Sequence, residues 1–122
     1  EEVDAFLSEK GIIFTPYFIA KGSTGLEFNF DFQIAGRKEE IVLKVFPNLN
    51  KSQLVSFLFS WEDIKPSREK IGNKNLRGLA VVNDIEKTVK KEYLDAFDVK
   101  GTGVLPWSKR HDAETIHLLE AV

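Results

Sequence analysis

Between Leu26 and Ile34 the chain alternates without a fault, with Leu26, Phe28, Phe30, Phe32 and Ile34 interleaved with Glu27, Asn29, Asp31 and Gln33. Successive side chains of a β-strand point to opposite faces, so this period-two stretch predicts a half-buried strand with one oily and one polar face. Ala35-Gly36-Arg37-Lys38 then predicts a tight turn, and Glu39 to Phe46 the returning strand of a hairpin. A two-residue loop at Gly36-Arg37 pairs Ala35 with Lys38, Phe32 with Ile41 and Phe30 with Leu43. The polar face then carries Gln33 beside Glu40, Asp31 beside Val42, and Asn29 beside Lys44.

The rest of the chain supplies partners for this hairpin. Glu1 to Lys10 predicts a helix with Val3, Phe6 and Leu7 on one face, and Gly11 is a stop signal. Ile12 to Ala20 is β-branched and aromatic, a strand that Pro16 consigns to a sheet edge or a bulge. Gly22-Ser23-Thr24-Gly25 reads as a turn and lacks the pattern of a phosphate-binding loop. Asn48, Asn50 and Ser52 offer N-caps for a helix bearing Leu54, Leu58 and Trp61 on one stripe, and Pro66 should end or kink it. Val55, Phe57, Phe59 and Trp61 also alternate, so a strand over the same residues stays open. Leu76 to Val82 is an apolar run typical of an interior strand. A helix over Thr88–Phe97, a strand over Gly101–Trp107 and a helix over Ala113–Ala121 follow.

The expected order is αβββαβαβα. It describes one α/β domain over residues 1–122, leaning to α+β, with a mixed sheet, a central antiparallel hairpin and flanking helices. Restriction-endonuclease-like domains share that layout. A chain of 122 residues is long enough for a core of its own. Its net charge of −2 excludes a body that coats nucleic acid through bulk charge alone. With no cysteine, disulfides, thiolate nucleophiles and cysteine-held metal centres are excluded. No apolar run approaches the ~20 residues that span a bilayer. The expectation is a soluble cytoplasmic domain without membrane contact. The absence of Met further predicts that Glu1 is not a natural start and that the chain is the C-terminal part of a longer protein.

Three constellations bear on function. In metal-dependent nucleases of this layout, a strand Asp meets a Glu and a Lys of the next strand, the carboxylates holding a divalent cation. Asp31 and Lys44 fill two of those roles, whereas Val42 stands where the Glu belongs. Glu40 or Glu27 would have to substitute, with Mg or Mn held by Asp31 and Glu40. The competing reading of that face is structural, since cross-strand polar pairs need no chemistry. The second group is Trp61, Asp63, Lys65 and Arg68, two cations and an indole that would suit a phosphate and a stacked base, or simply a Trp anchor with a solvated exit. The third is Asn83-Asp84 and Trp107-Ser108-Lys109-Arg110, each following a strand, where ligands gather in open sheets and where caps also occur.

Phe59-Ser60-Trp61-Glu62-Asp63-Ile64-Lys65 with Arg68, Asn83-Asp84, and Trp107-Ser108-Lys109-Arg110 resemble a bacterial family catalogued as domain-of-unknown-function family 1829. The likeness runs from about Phe14 onward. Where the family carries Thr-Arg this chain has Ile64-Lys65, which keeps a cation at position 65, and the family's Glu before the second hairpin strand is a further difference. The resemblance implies a shared role for Trp61, Asp63, Arg68, Asn83, Asp84, Trp107, Ser108 and Arg110. It also implies a place C-terminal to another uncharacterised domain in bacterial and phage-borne proteins.

The expected function is a binding or regulatory module with a degenerate nuclease-like fold and no cofactor. It would engage nucleic acid or its missing N-terminal domain through Trp61, Lys65, Arg68 and Arg110. A metal-dependent nuclease and a purely structural docking domain are the alternatives.

Overall fold

The computed structural model describes residues 2–122, so the expected helix start at Glu1 lies outside the described residues. The elements are α1 (Glu2–Glu9), β1 (Thr15–Lys21), β2 (Glu27–Ala35), β3 (Glu39–Phe46), α2 (Lys51–Gly72), β4 (Asn75–Val82), α3 (Lys91–Val99), β5 (Gly103–Pro106), a 3-10 turn at Trp107–Lys109 and α4 (Ala113–His117). This is the expected order, and it builds a five-stranded mixed sheet with strand order β1-β2-β3-β4-β5. Strands β1 to β3 form an antiparallel meander, while β4 and β5 run parallel to β3. Parallel neighbours need long crossovers, and α2 and α3 provide them. Both helices pack on one face with Val42, Phe46, Leu76 and Ala80. On the other, α1 and the α4 segment cover Ile41, Leu43, Leu79 and Leu105.

The hairpin departs from expectation in two ways. Its register is Phe32↔Leu43, Gln33↔Val42, Ile34↔Ile41 and Ala35↔Glu40, two residues from the predicted pairing. The loop is centred on Arg37-Lys38 because the N–H of Gly36 bonds the Glu39 carbonyl (2.8 Å). A shift of two preserves the faces, so hydrophobic pattern alone cannot detect it. The second departure is that neither face of the hairpin is polar throughout. Ile41, Val42 and Leu43 are all fully buried, because β3 is a central strand covered from both sides. Phe30 belongs to the core under α2, whereas Phe32 belongs to the core under α1. Between them β2 turns over. The β2–β3 ladder stops at Phe32↔Leu43 and the two strands fork. Across from the fork, Tyr17 adopts φ 54°, yet Pro16↔Phe32 and Phe18↔Phe30 keep one register across it, so of the edge or bulge marked by Pro16 the structure has the edge.

Residues 51–72 settle as helix. Asn50 caps it in a reciprocal capping box with Gln53, and Leu54, Phe57, Leu58, Trp61 and Ile64 are buried along it. Pro66 neither ends nor replaces the helix, which continues for six residues beyond it to Gly72. An interior proline costs about 3 kcal/mol. Here the single proton of the Ser67 hydroxyl is shared between the carbonyls of Lys21 (3.0 Å) and Ile64 (3.1 Å), tying the following turn to β1. Asn73 in the left-handed region closes the helix.

Candidate functional site

The fork of β2 and β3 governs the fate of the expected metal centre. Where the ladder stops, the Asp31 carboxylate accepts a hydrogen bond from the N–H of Val45 (2.7 Å), and Lys44 Nζ donates to the carbonyl of Asn29 (3.2 Å). Each side chain thus satisfies a backbone group that the opened ladder leaves without a partner. They do so on opposite sides of the sheet. Asp31 lines a recess with Val3, Phe14 and Phe32 under α1, whereas Lys44 lines one with Ser52, Gln53 and Ser56 of α2. On the Asp31 side, β3 presents Leu43 and Val45, both hydrocarbon. The pairing of Asp31 with Val42 is therefore corrected by the register, which gives Val42 to Gln33, and the shared polar face with Lys44 by the turnover of β2.

Glu40 is elsewhere again. It is buried beneath α2, where Arg68 grips it through Nη2 (2.5 Å) and Nε (3.2 Å) and Gln33 donates its amide (2.7 Å). The Arg68 guanidinium also lies 5.0 Å from the Phe18 ring centroid. Glu27 is exposed at the start of β2, paired in register with Lys21. Among the described residues, no group of three or more His, Asp or Glu converges in a way that could hold a metal ion.

The α2 cluster likewise turns inward. Trp61 is 3% exposed, and its indole N–H reaches the Lys100 carbonyl (3.3 Å). Gly78 makes room for it, since a Cβ there would sit 2.9 Å from Trp61 Cε3. Asp63 binds the β1–β2 turn, accepting from the N–H (3.1 Å) and hydroxyl (2.6 Å) of Thr24, while its carbonyl accepts the N–H of Ser23 (2.9 Å). Gly22 is required by this contact, because a Cβ would come within 2.0 Å of Asp63 Oδ2. Lys65 bonds Glu69 (2.7 Å) and the Leu76 carbonyl (3.3 Å) and lies 5.3 Å from the Trp61 ring. Backbone donation from Leu76, followed by the Lys65 ammonium, holds the Glu69 carboxyl below its ordinary pKa.

The third group does converge, as the parallel run of β4 and β5 requires. Asp84 accepts from the N–H (2.8 Å) and hydroxyl (2.6 Å) of Ser108, so the ends of both strands are tied together. Partial burial pushes the Asp84 carboxyl up, but these two hydrogen bonds outweigh it and the pKa lies below the ordinary value. The Asn83 side chain accepts from the N–H of Ile85 (3.2 Å), forming a local turn. Trp107 packs edge-on against Phe6 of α1 (5.4 Å), with the Arg110 guanidinium 4.6 Å from its ring and bonded to its carbonyl (2.7 Å). Arg110 thus sits on the α1 side and Arg68 on the α2 side, so the expected joint surface of Trp61, Lys65, Arg68 and Arg110 does not form.

The family model of a domain of unknown function, DUF1829, matches residues 22–110. The chain belongs to this family. The match in DUF1829 opens at the Gly22 turn that Asp63 clasps and closes at Arg110, which covers Trp107. A crystal structure of a protein of unknown function, AF1548, is similar with a TM-score of 0.66 at 17% identity, a likeness that establishes the fold alone. The match covers 97% of this chain but 61% of that one, so this chain spans less than two thirds of its neighbour's length. No curated protein matches the DUF1829 chain.

What pattern reading missed lies on the α1 side. Two recesses share Val3, Val45 and Pro47, one at the fork with Phe14, Tyr17, Asp31 and Phe32, the other at the rim of β3 to β5 with Asn83, Ile85 and Trp107. Pro16 was the one signal pointing there. Nothing in residue order announces that β2 turns over at Asp31. Among the described residues, no helix is long and apolar enough to cross a membrane.

Proposed function

We propose that this DUF1829 domain is a non-catalytic docking module. Its groove, along the first turn of α1 from the β2–β3 fork to the β3–β5 rim, receives a basic segment of a neighbouring domain in the same polypeptide. The reading retains the layout shared with restriction-endonuclease-like domains and treats the hairpin as its degenerate centre. One observation carries it: Lys65, Arg68 and Arg110 of the family signature are engaged within the domain and only Lys109 of its cations stays exposed, while the open groove is lined by carboxylates. Lys65 is held by Glu69, Arg68 by Glu40, and Arg110 by Trp107. Glu2 and Glu86 line the rim recess, and Asp4 and Asp31 the fork recess. Phosphate backbones are attracted by lysine and arginine, and this groove offers the opposite sign.

The test is fluorescence anisotropy of labelled DNA and RNA at low salt, with the same substrates incubated with magnesium or manganese. The docking reading predicts neither saturable binding nor cleavage. Salt-sensitive binding, or metal-dependent cleavage lost in both Asp31→Ala and Lys44→Ala, would overturn it.

A further inference from the structure

We infer that the fork recess is a binding site for an alkylammonium group, the side chain of a lysine or methylated lysine presented by the docked segment. The inference rests on the docking reading and names what its groove recognises. The recess has a volume of about 370 Å³, room for one long side chain. Two of its walls are the Phe14 and Phe32 rings, with centroids 5.2 Å apart and planes at 89°, so they make a right-angled aromatic corner. Tyr17 also lines the recess and is 87% exposed, which leaves its ring free to close on a ligand. Its backbone is held at φ 54°, a region that an aromatic residue seldom adopts.

The charge is placed to match. Asp31 lines the recess, and its carboxylate accepts a hydrogen bond from the neutral N–H of Val45. Among the described residues, no lysine or arginine forms an ion pair with it. Lys44, the cation nearest along β3, is on the far side of the sheet. An aromatic corner lined also by the Asp31 and Asp4 carboxylates suits a weakly hydrated organic cation, which gains from ring faces as well as from the charge. Among the described residues, no group of three or more His, Asp or Glu gathers there to hold a metal ion.

The test is amide chemical-shift titration of the folded chain with short peptides carrying lysine, trimethyllysine or glutamate. Two variants isolate the contacts. Asp31→Asn removes the charge but keeps an oxygen to accept the Val45 N–H, and Tyr17→Asn removes the ring with a residue that tolerates the left-handed region. The expected result is saturable shifts at Phe14, Tyr17, Phe32 and Val45 with the lysine or trimethyllysine peptide and none with glutamate. Affinity should fall about tenfold in Asp31→Asn and severalfold in Tyr17→Asn. No saturation with either cationic peptide, equal affinity in the variants, or an equal response to glutamate would overturn the site. The nucleic-acid assay is independent of this readout, so the recess and the docking reading can fail separately.

Discussion

Replacing Arg68 with alanine separates an internal tie from a ligand-facing cation. The Glu40 side chain is 8% exposed and that of Arg68 27%, so the pair is desolvated on the carboxylate side. Deleting one partner of a buried pair costs about 3–5 kcal/mol, because a charge is left without compensation. Gln33 still donates to Glu40, which places the expected loss near the lower end, about 3 kcal/mol. Unfolding entropy of about 2.1 cal/mol/K per residue makes that a fall of roughly 12 °C in Tm for a chain of 122 residues. Thermal and urea unfolding followed by tryptophan fluorescence and circular dichroism would measure it. The double variant Glu40→Leu/Arg68→Met should recover all but about 1 kcal/mol, since replacing both charges removes the orphan. An Arg68→Ala protein melting within about 2 °C of the parent would refute the reasoning and return Arg68 to the list of ligand-binding residues.

Further expectations follow from the same contacts. Asp63→Ala should destabilise by about 2 kcal/mol and speed amide exchange at Ser23 and Thr24, whereas unchanged exchange would mean the turn holds itself. Gly78→Ala should lower stability by about 1–3 kcal/mol and shift Trp61 emission, as the added methyl displaces the indole; an unshifted spectrum would contradict that packing. Asp84 has a folded pKa below its unfolded value, so its contribution is present above the ordinary carboxylate pKa and is lost as pH falls through the folded one. Ser108→Ala should raise the Asp84 pKa in a carbon-13 carboxyl titration, and an unmoved midpoint would show that the Ser108 hydroxyl is not its partner.

The element order was legible because each segment carries its own signal: alternation in β2, caps and an apolar stripe in α2, a continuous apolar run in β4. Three features were not. The register of the hairpin depended on which two residues form its loop, and a slip of two leaves every side chain on its original face. Pro66 marks a helix end by local rules, yet tertiary contacts of Trp61 and Ile64 before it and Ser67 after it hold the helix through. The turnover at Asp31 places neighbouring phenylalanines in different cores, and only the fork makes that visible. The candidate site followed suit. Asp84 with Ser108 was inferable from the parallel strand ends, whereas the fate of Arg68 depended on Glu40, twenty-eight positions away in the chain. Charged residues in a family signature read alike whether they face a ligand or each other.

A manganese titration followed by paramagnetic line broadening probes the absence of a metal centre most directly. With Asp31 and Lys44 on opposite faces and Glu40 closed off by Arg68, broadening should be diffuse over exposed acids and should not favour the amides of Asp31, Leu43 and Val45. Selective, saturable broadening at those three amides, abolished in Asp31→Asn, would establish a metal site at the fork and contradict the account.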